Sequence, residues 1–200
     1  MRVKYQPKPG ILYAAECGDN RDLRAHLKAG ADPNTSWLSG VTPLMAAAFE
    51  GHARACRILL ESGADLNLYD TDQGWSAVHD AVRGGHLAIL RLLVAHGADV
   101  LEHERTGGSL LCLAAQANSR ASLKLTDELL SHGCDPNLLG HGISALHVAA
   151  SSHNFATARV LVRHGANPRS VSEEGFSVWD HVTLNYEGKE LASWKELLGL

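Results

Sequence analysis

Thr42-Pro43-Leu44-Met45-Ala46-Ala47-Ala48 is the stretch whose reading decides the fold. A threonine hydroxyl accepts a hydrogen bond from one of the backbone N–H groups left open at a helix start, and a proline at the first helical position gives up only an N–H that had no partner there. The alanines that follow make a short helix that a neighbour can approach closely. Gly51-His52 breaks it, Ala55, Ile58, Leu59 and Leu60 return at helical spacing, and Gly63 ends a second helix. The segment from Ala64-Asp65-Leu66-Asn67 to Gly74 is rich in Asp, Asn and Gly and is expected to project as a turn or β-hairpin. One unit is thus two antiparallel helices and a loop.

The unit recurs. A glycine with Thr or Ser two places on stands at Gly40, Gly74, Gly107, Gly142 and Gly175, in steps of 34, 33, 35 and 33. A second landmark, Gly followed by a small residue, closes each unit at Gly30-Ala31, Gly63-Ala64, Gly97-Ala98, Gly133-Cys134 and Gly165-Ala166, in steps of 33, 34, 36 and 32. A fixed period of this size means supersecondary units that bury their apolar sides against one another.

Thr42-Pro43-Leu44, Ala47-Ala48, Gly51-His52, Leu59-Leu60 and Gly63-Ala64-Asp65-Leu66-Asn67 resemble the ankyrin repeat consensus almost position for position. Ser76-Ala77-Val78-His79, Gly85-His86 and Gly97-Ala98-Asp99 form the next copy, and Ser144-Ala145-Leu146-His147-Val148-Ala149-Ala150 with Gly165-Ala166-Asn167 a later one. The resemblance covers roughly residues 11–198 and implies an all-α ankyrin-repeat solenoid of stacked helix-turn-helix units with projecting β-hairpin loops. Residues 1–10 are an N-terminal extension, and 11–200 divide into repeats 11–36, 37–70, 71–103, 104–138, 139–171 and 172–200.

Three departures stand out. The ends are atypical, as capping repeats are: Ile11 to Asn34 lacks the Thr-Pro-Leu start, and Leu191, Trp194, Leu197 and Leu198 mark an amphipathic closing helix. Trp179 falls where the motif has Leu and is read as core. Gln116 to Asp127 has no Gly-His and is about three residues longer than its counterparts, so an extended loop between helices is expected there, either a partner contact or a tolerated insertion.

An apolar fraction of 45% supports a buried core and argues against disorder. Eighteen Lys and Arg against 22 Asp and Glu leave a formal charge of -4, too near neutral to steer the chain to nucleic acid or acidic lipid. Met1 to Gly10 carries no apolar run of a secretory signal, and no other run approaches a membrane span. A cytoplasmic or nuclear monomer is expected, with no nucleic acid and no membrane as partner. Cys17, Cys56, Cys112 and Cys134 have no C-x-x-C spacing and are read as reduced, mostly buried thiols.

Twelve histidines invite a metal or catalytic reading, and repeat position answers most of them. His79 and His147 occupy the motif histidine, which in the family bonds to nearby backbone; Cys112 takes that place in another unit. His52 and His86 follow the helix-breaking glycine. His96, His132 and His164 recur just before the closing glycine; helices stack roughly 8–10 Å apart, whereas zinc needs its ligand nitrogens about 2 Å away. No metal, no cofactor and no catalytic residue is therefore assigned. There is no Gly-x-Ser-x-Gly elbow, and Thr106-Gly107-Gly108-Ser109 opens a repeat rather than cradling a phosphate.

The expected function is protein binding. In ankyrin-like proteins the partner meets the hairpin tips and the exposed face of each first helix, a concave surface. On this sequence the tips supply Leu38, Ser39, Val41, Asp72, Gln73, Trp75, Arg105, Thr106, His141 and Ile143, and the first helices Glu16, Phe49, Glu50, Arg83, Gln116, Ser151 and Ser152. Phe49, Trp75 and Arg83 lead, because aromatic residues and Arg dominate binding energy. Trp75 is open to either reading, anchor or hairpin packing, and Phe176 is read as packing. The roles left open are scaffold, adaptor, or regulatory inhibitor of an enzyme or transcription factor; Leu200 leaves no room for the C-terminal box of ubiquitin-ligase adaptors, so an uncommitted scaffold is favoured. An enzyme site formed across repeats is the remote alternative. Asn67 and Asn137, each eight residues after a Leu, resemble substrates of the asparaginyl hydroxylase that modifies ankyrin repeats.

Overall fold

The structure, a computed structural model, describes residues 8–101, 109–116 and 120–200. Arg105 and Thr106 lie outside the described residues. The chain divides into two compact units, residues 1–98 and 99–200.

The first unit holds three helix pairs: α1 (Gly10–Glu16) with α2 (Asn20–Lys28), α3 (Pro43–Glu50) with α4 (Ala53–Glu61), and α5 (Ala77–Arg83) with α6 (Leu87–Ala95). The second holds α7 (Leu110–Gln116) with α8 (Arg120–Ser131), α9 (Ala145–Ser151) with α10 (Phe155–Arg163), and α11 (Val178–Asn185) with α12 (Gly188–Leu198). First helices pack on first helices and second on second, α1–α3–α5 beside α2–α4–α6 in one unit and α7–α9–α11 beside α8–α10–α12 in the other. Each unit is therefore two helical layers.

The alanines explain the close inner layer. Ala14, Ala15, Ala47, Ala48, Ala81, Ala114, Ala115, Ala149 and Ala150 are all fully or almost fully buried, and a methyl group is the largest side chain that lets helices this short approach. Larger apolar residues fill the outer layer: Leu23, Ile58 and Leu59, Ile89, Leu90 and Leu93 in the first unit, and Leu125, Leu129, Leu161, Trp194 and Leu198 in the second.

Helix starts follow the local code. Thr42 Oγ1 accepts from Met45 N at 3.3 Å and Asp19 accepts from Arg21 N and Asp22 N, both at 3.0 Å. The third helical residue reaches back to the cap whatever its chemistry: Met45 Sδ accepts from Thr42 N at 3.5 Å, His79 Nδ1 from Ser76 N at 3.2 Å, His147 Nδ1 from Ser144 N at 3.3 Å and Asp180 Oδ2 from Ser177 N at 2.7 Å. Second helices end at a glycine such as Gly63 (φ 88°), whose left-handed backbone lets Ala64 N donate to Leu59 O at 3.0 Å.

The loops are turned by Asp and joined by Asn. Asp32, Asp65 and Asp135 each accept the backbone N–H two residues on at 2.8 Å. Asn34 Nδ2 donates to Gly63 O at 3.1 Å while its Oδ1 accepts from Asp65 N at 2.7 Å; Asn137 repeats the bridge with Gly165 O at 3.0 Å and Asn167 N at 2.7 Å. The Asn137 side chain, proposed above for hydroxylation, thus already links neighbouring loops. A two-stranded hairpin, β1 (Leu139–Gly140) and β2 (Ile143–Ser144), turns at His141 and Gly142, both at positive φ, the two-residue turn that fits strand twist. Isolated bridges Trp37–Val41 and Val171–Ser177 mark the corresponding places in other repeats.

Two sequence expectations change. The lengthened stretch after Gln116 is not an extended loop from residue 120 on: α8 has 12 residues where α2, α4, α6 and α10 have nine. Ser122, Leu125, Thr126, Leu129 and Leu130 are buried at helical spacing, so the extra residues are spent on a longer apolar face. Trp179 is only half-buried; Val178 is the fully buried residue of that turn, and the large core aromatic of the closing pair is Trp194, 1% exposed. Leu198 is buried and Leu191 and Leu197 half-buried beside it, as an amphipathic closing helix requires.

Candidate protein-docking groove

Phe49 and Arg83 end the first helices α3 and α5, and Trp75 stands just before the cap of α5. The fold brings the three together. The Arg83 guanidinium lies over the Phe49 ring at 4.1 Å and over the Trp75 ring at 5.0 Å, held between two aromatic faces. Its Nη2 donates to Asp80 Oδ1 at 3.2 Å, one turn back on the same helix. Asp80 is 8% exposed, and burial pushes its carboxyl up to about 6; Arg83 pulls the other way and Asp70 adds to the rise.

This cluster forms one wall of an open groove of about 270 Å³. Leu12, Met45 and Ala46 give it an apolar floor, and Trp37, Leu38 and Val41 line it from the neighbouring loop. Leu38 is 62% and Phe49 38% exposed, so the groove rim presents apolar surface to solvent. Lys8 forms an ion pair with Glu16 and lies over the Trp37 ring at 5.4 Å; Glu50, Asp70 and Asp80 complete the polar lining.

Six of the residues expected from the sequence, Glu16, Leu38, Val41, Phe49, Glu50 and Arg83, line this groove, and Trp75 touches it through Arg83. Trp75 is half-buried and stacked on His79 with ring centroids 6.2 Å apart, and its Nε1–H is buried with no hydrogen-bond partner among the described residues. Its ring thus packs against both His79 and Arg83. Asp72 and Gln73 sit exposed on the adjoining turn, where Asp70 Oδ1 accepts their N–H groups at 3.1 and 2.7 Å. Thr71 N donates to Ser39 O at 2.7 Å and ties the two loops together.

The second-unit candidates are spread out. Gln116 is exposed at the end of α7, His141 at the hairpin tip and Ile143 half-buried on β2. Ser151 ends α9, where its Oγ donates to His147 O at 3.0 Å and pairs with His181 Nδ1 at 3.1 Å. Phe176, expected as packing, is 48% exposed. His147 is held neutral by burial foremost, its pKa lowered although its ring N–H donates from Nε2 to Phe176 O at 3.2 Å; Cys112 at the equivalent place donates from Sγ to Ile143 O at 3.5 Å.

The position-specific histidines have partners of their own. His96 Nδ1 donates to Leu92 O at 2.8 Å, His132 lies 3.7 Å from Glu128 and His164 3.8 Å from Asp127. Among the described residues no group of three or more His, Cys, Asp or Glu is placed to hold a metal. Cys56 and Cys134 are buried, Cys112 half-buried and Cys17 exposed, with no disulfide among them; burial pushes the Cys56 thiol up to about 12, far from a reactive thiolate. No helix among the described residues is long and apolar enough to cross a membrane.

The ankyrin repeat family model in three copies matches residues 11–104, and a single-repeat model matches 141–173. The chain belongs to the ankyrin repeat family. A crystal structure of an ankyrin repeat domain from Acinetobacter baumannii is 27% identical with a TM-score of 0.76, covering 94% of this chain and 95% of that one. Human ankyrin repeat and SOCS box protein 6 is 36% identical over 137 residues, 64% of this chain and 32% of the relative. The Arabidopsis thaliana potassium channel AKT2/3 is 31% identical over 158 residues, 78% of this chain and 19% of the channel. The chain spans about a third or less of the length of these two curated relatives. Ankyrin repeats are in general interaction modules rather than catalysts.

Of the groove residues, Trp37, Asp70, Asp80 and Lys8 were not nominated from sequence. Asp80 did leave a signal: it is the single carboxylate in Ala77 to Val82, a run that is otherwise apolar apart from the motif histidine His79.

Proposed function

We propose that this chain binds a partner protein, as scaffold, adaptor or inhibitor, through the groove of the first unit. The observation that carries the reading is the Phe49–Arg83–Trp75 sandwich beside exposed Leu38. A repeat unit does not need an arginine fixed between two rings to fold, and a side chain immobilised before contact loses little rotamer freedom on binding. Exposed apolar surface beside a fixed guanidinium is the composition of a binding hot spot.

A photoreactive amino acid in place of Leu38 should cross-link a partner from cells that express this protein, whereas the same group at Arg57, on the opposite layer, should not. With the captured partner purified, Phe49→Ala should weaken binding by about 2 kcal/mol while leaving the circular dichroism spectrum unchanged. Equal capture at both positions, or binding indifferent to Phe49, would remove the groove from the account.

A further inference from the structure

The titratable side chains lining the groove are Lys8, Glu16, Glu50, Asp70, Asp80 and Arg83, four carboxylates against two cations. Both cations are already taken, Lys8 by Glu16 and Arg83 by Asp80. Asp70 spends one oxygen on its own turn, accepting from Asp72, Gln73 and Gly74 at 3.1, 2.7 and 3.1 Å. Glu50 is exposed at the groove edge with no ion-pair partner among the described residues. Two negative charges therefore remain over an apolar floor of Leu12, Met45 and Ala46, where the surrounding dielectric is lower than in open water and a cation is attracted more strongly.

Resting on the docking role proposed above, we infer that the occupant of this groove is a short cationic segment of a partner protein, one presenting a lysine or arginine beside an apolar side chain. The cation meets Glu50 and Asp70. The apolar neighbour covers Leu38 and the outer face of Phe49, which the fold leaves exposed on the same rim. An acidic segment would add like charge to a site whose own cations are spent, and a purely polar one would leave the apolar rim uncovered.

The test uses the full chain and three fluorescent peptides of about eight residues, alternating Lys-Leu, Glu-Leu and Lys-Ser, followed by anisotropy at physiological salt. The Lys-Leu peptide should bind about tenfold more tightly than either other peptide. Glu50→Lys should weaken it about fivefold, and Glu61→Lys, on α4 away from the groove, should leave it unchanged. Failure of the Lys-Leu peptide to bind below millimolar concentration, or equal losses in both charge variants, overturns the inference. A Glu-Leu preference that is abolished by Phe49→Ala overturns the cationic occupant and leaves the groove reading standing. Binding of any peptide that ignores Phe49→Ala overturns both. Self-association in sedimentation velocity that disappears in Glu50→Lys would make a second copy the occupant and likewise overturn it.

Discussion

The two units solve one fastening problem with different chemistry. In each, a side chain opening the second-helix segment reaches back to a carbonyl near the end of the preceding repeat's first helix. The first unit uses histidine: His52 Nε2–H donates to Glu16 O and His86 Nε2–H to Phe49 O, both at 2.9 Å. Each ring lies over a glycine of the preceding repeat, so that a Cβ at Gly18 or Gly51 would sit 2.6 or 2.5 Å from ring atoms. The second unit uses a buried amide and a phenol: Asn154 Nδ2 donates to Ala115 O at 3.3 Å and to Ser122 Oγ at 2.9 Å, and Tyr186 OH donates to Ala150 O at 3.0 Å. Ser122 also bonds Ala114 O and Thr157 Oγ1, so the longer α8 supplies a hydroxyl to this network. Half-buried rings leave water as an alternative partner when one is removed; buried amides and hydroxyls do not, so the second unit has more to lose at its fasteners.

The largest expected effect follows from that contrast. Asn154→Ala removes the cap that accepts from Thr157 N at 3.2 Å and the amide that donates to buried Ala115 O, and should destabilise the second unit by about 3 kcal/mol in urea unfolding. His86→Ala should cost the first unit only about 1 kcal/mol. Similar losses at both sites would erase the distinction.

Acid should pull the units apart in stability. Asp80 holds its proton more tightly folded than unfolded, its carboxyl standing at about 6 against an ordinary 3.8. The stability it adds is complete below about pH 4 and disappears as the pH rises through 6, a change on the order of 2 kcal/mol that Asp80→Asn should flatten. Arg83 and Asp70 are the charges that face it. His147 has the opposite sign: its lowered folded pKa, set first by burial and also by the facing His181, gives stability that is present above the ordinary histidine range and lost as pH falls through the folded value. Hydrogen exchange between pH 4 and 7 should show α5 gaining protection in acid while α9 loses it. Parallel changes in the two helices would contradict both assignments.

A smaller effect sharpens the glycine–histidine pairing. Gly51→Ala, at φ 86° and against the His86 ring, should cost about 1.5 kcal/mol, and the double variant with His86→Ala should cost less than the sum of the two singles because the clash has gone. Strict additivity in thermal melts would mean that backbone conformation alone requires the glycine.

The same contrast explains what could be read in advance. Thr42-Pro43, the alanine pairs and Gly51-His52 are local codes: each residue type has a physical task at a fixed offset, and the helices of the first unit follow. Phe49 and Arg83 were legible because the repeat assigns them to an outer face that does not need their size or charge. Asn154, Ser122 and Tyr186 were not, since they stand at or beside the place where Gly-His has its histidine and are groups whose purpose exists only once their carbonyl partners are placed. The stretch after Gln116 differs from its expected loop for the same reason: lacking Gly-His, it carries no visible breaker, and a buried serine, Ser122, stands on the helical face shared by Leu125 and Leu129. Trp179 occupies a core position by register, yet Val178 takes the fully buried place in that turn of α11, which packs against α9.

Hydrogen exchange of the full chain with its cross-linked partner, read peptide by peptide, tests the central claim most directly. The groove account predicts new protection in residues 37–50 and 69–83 and none in 120–131 or 155–163. Protection confined to the second unit, or to the outer helices of the first, would contradict it.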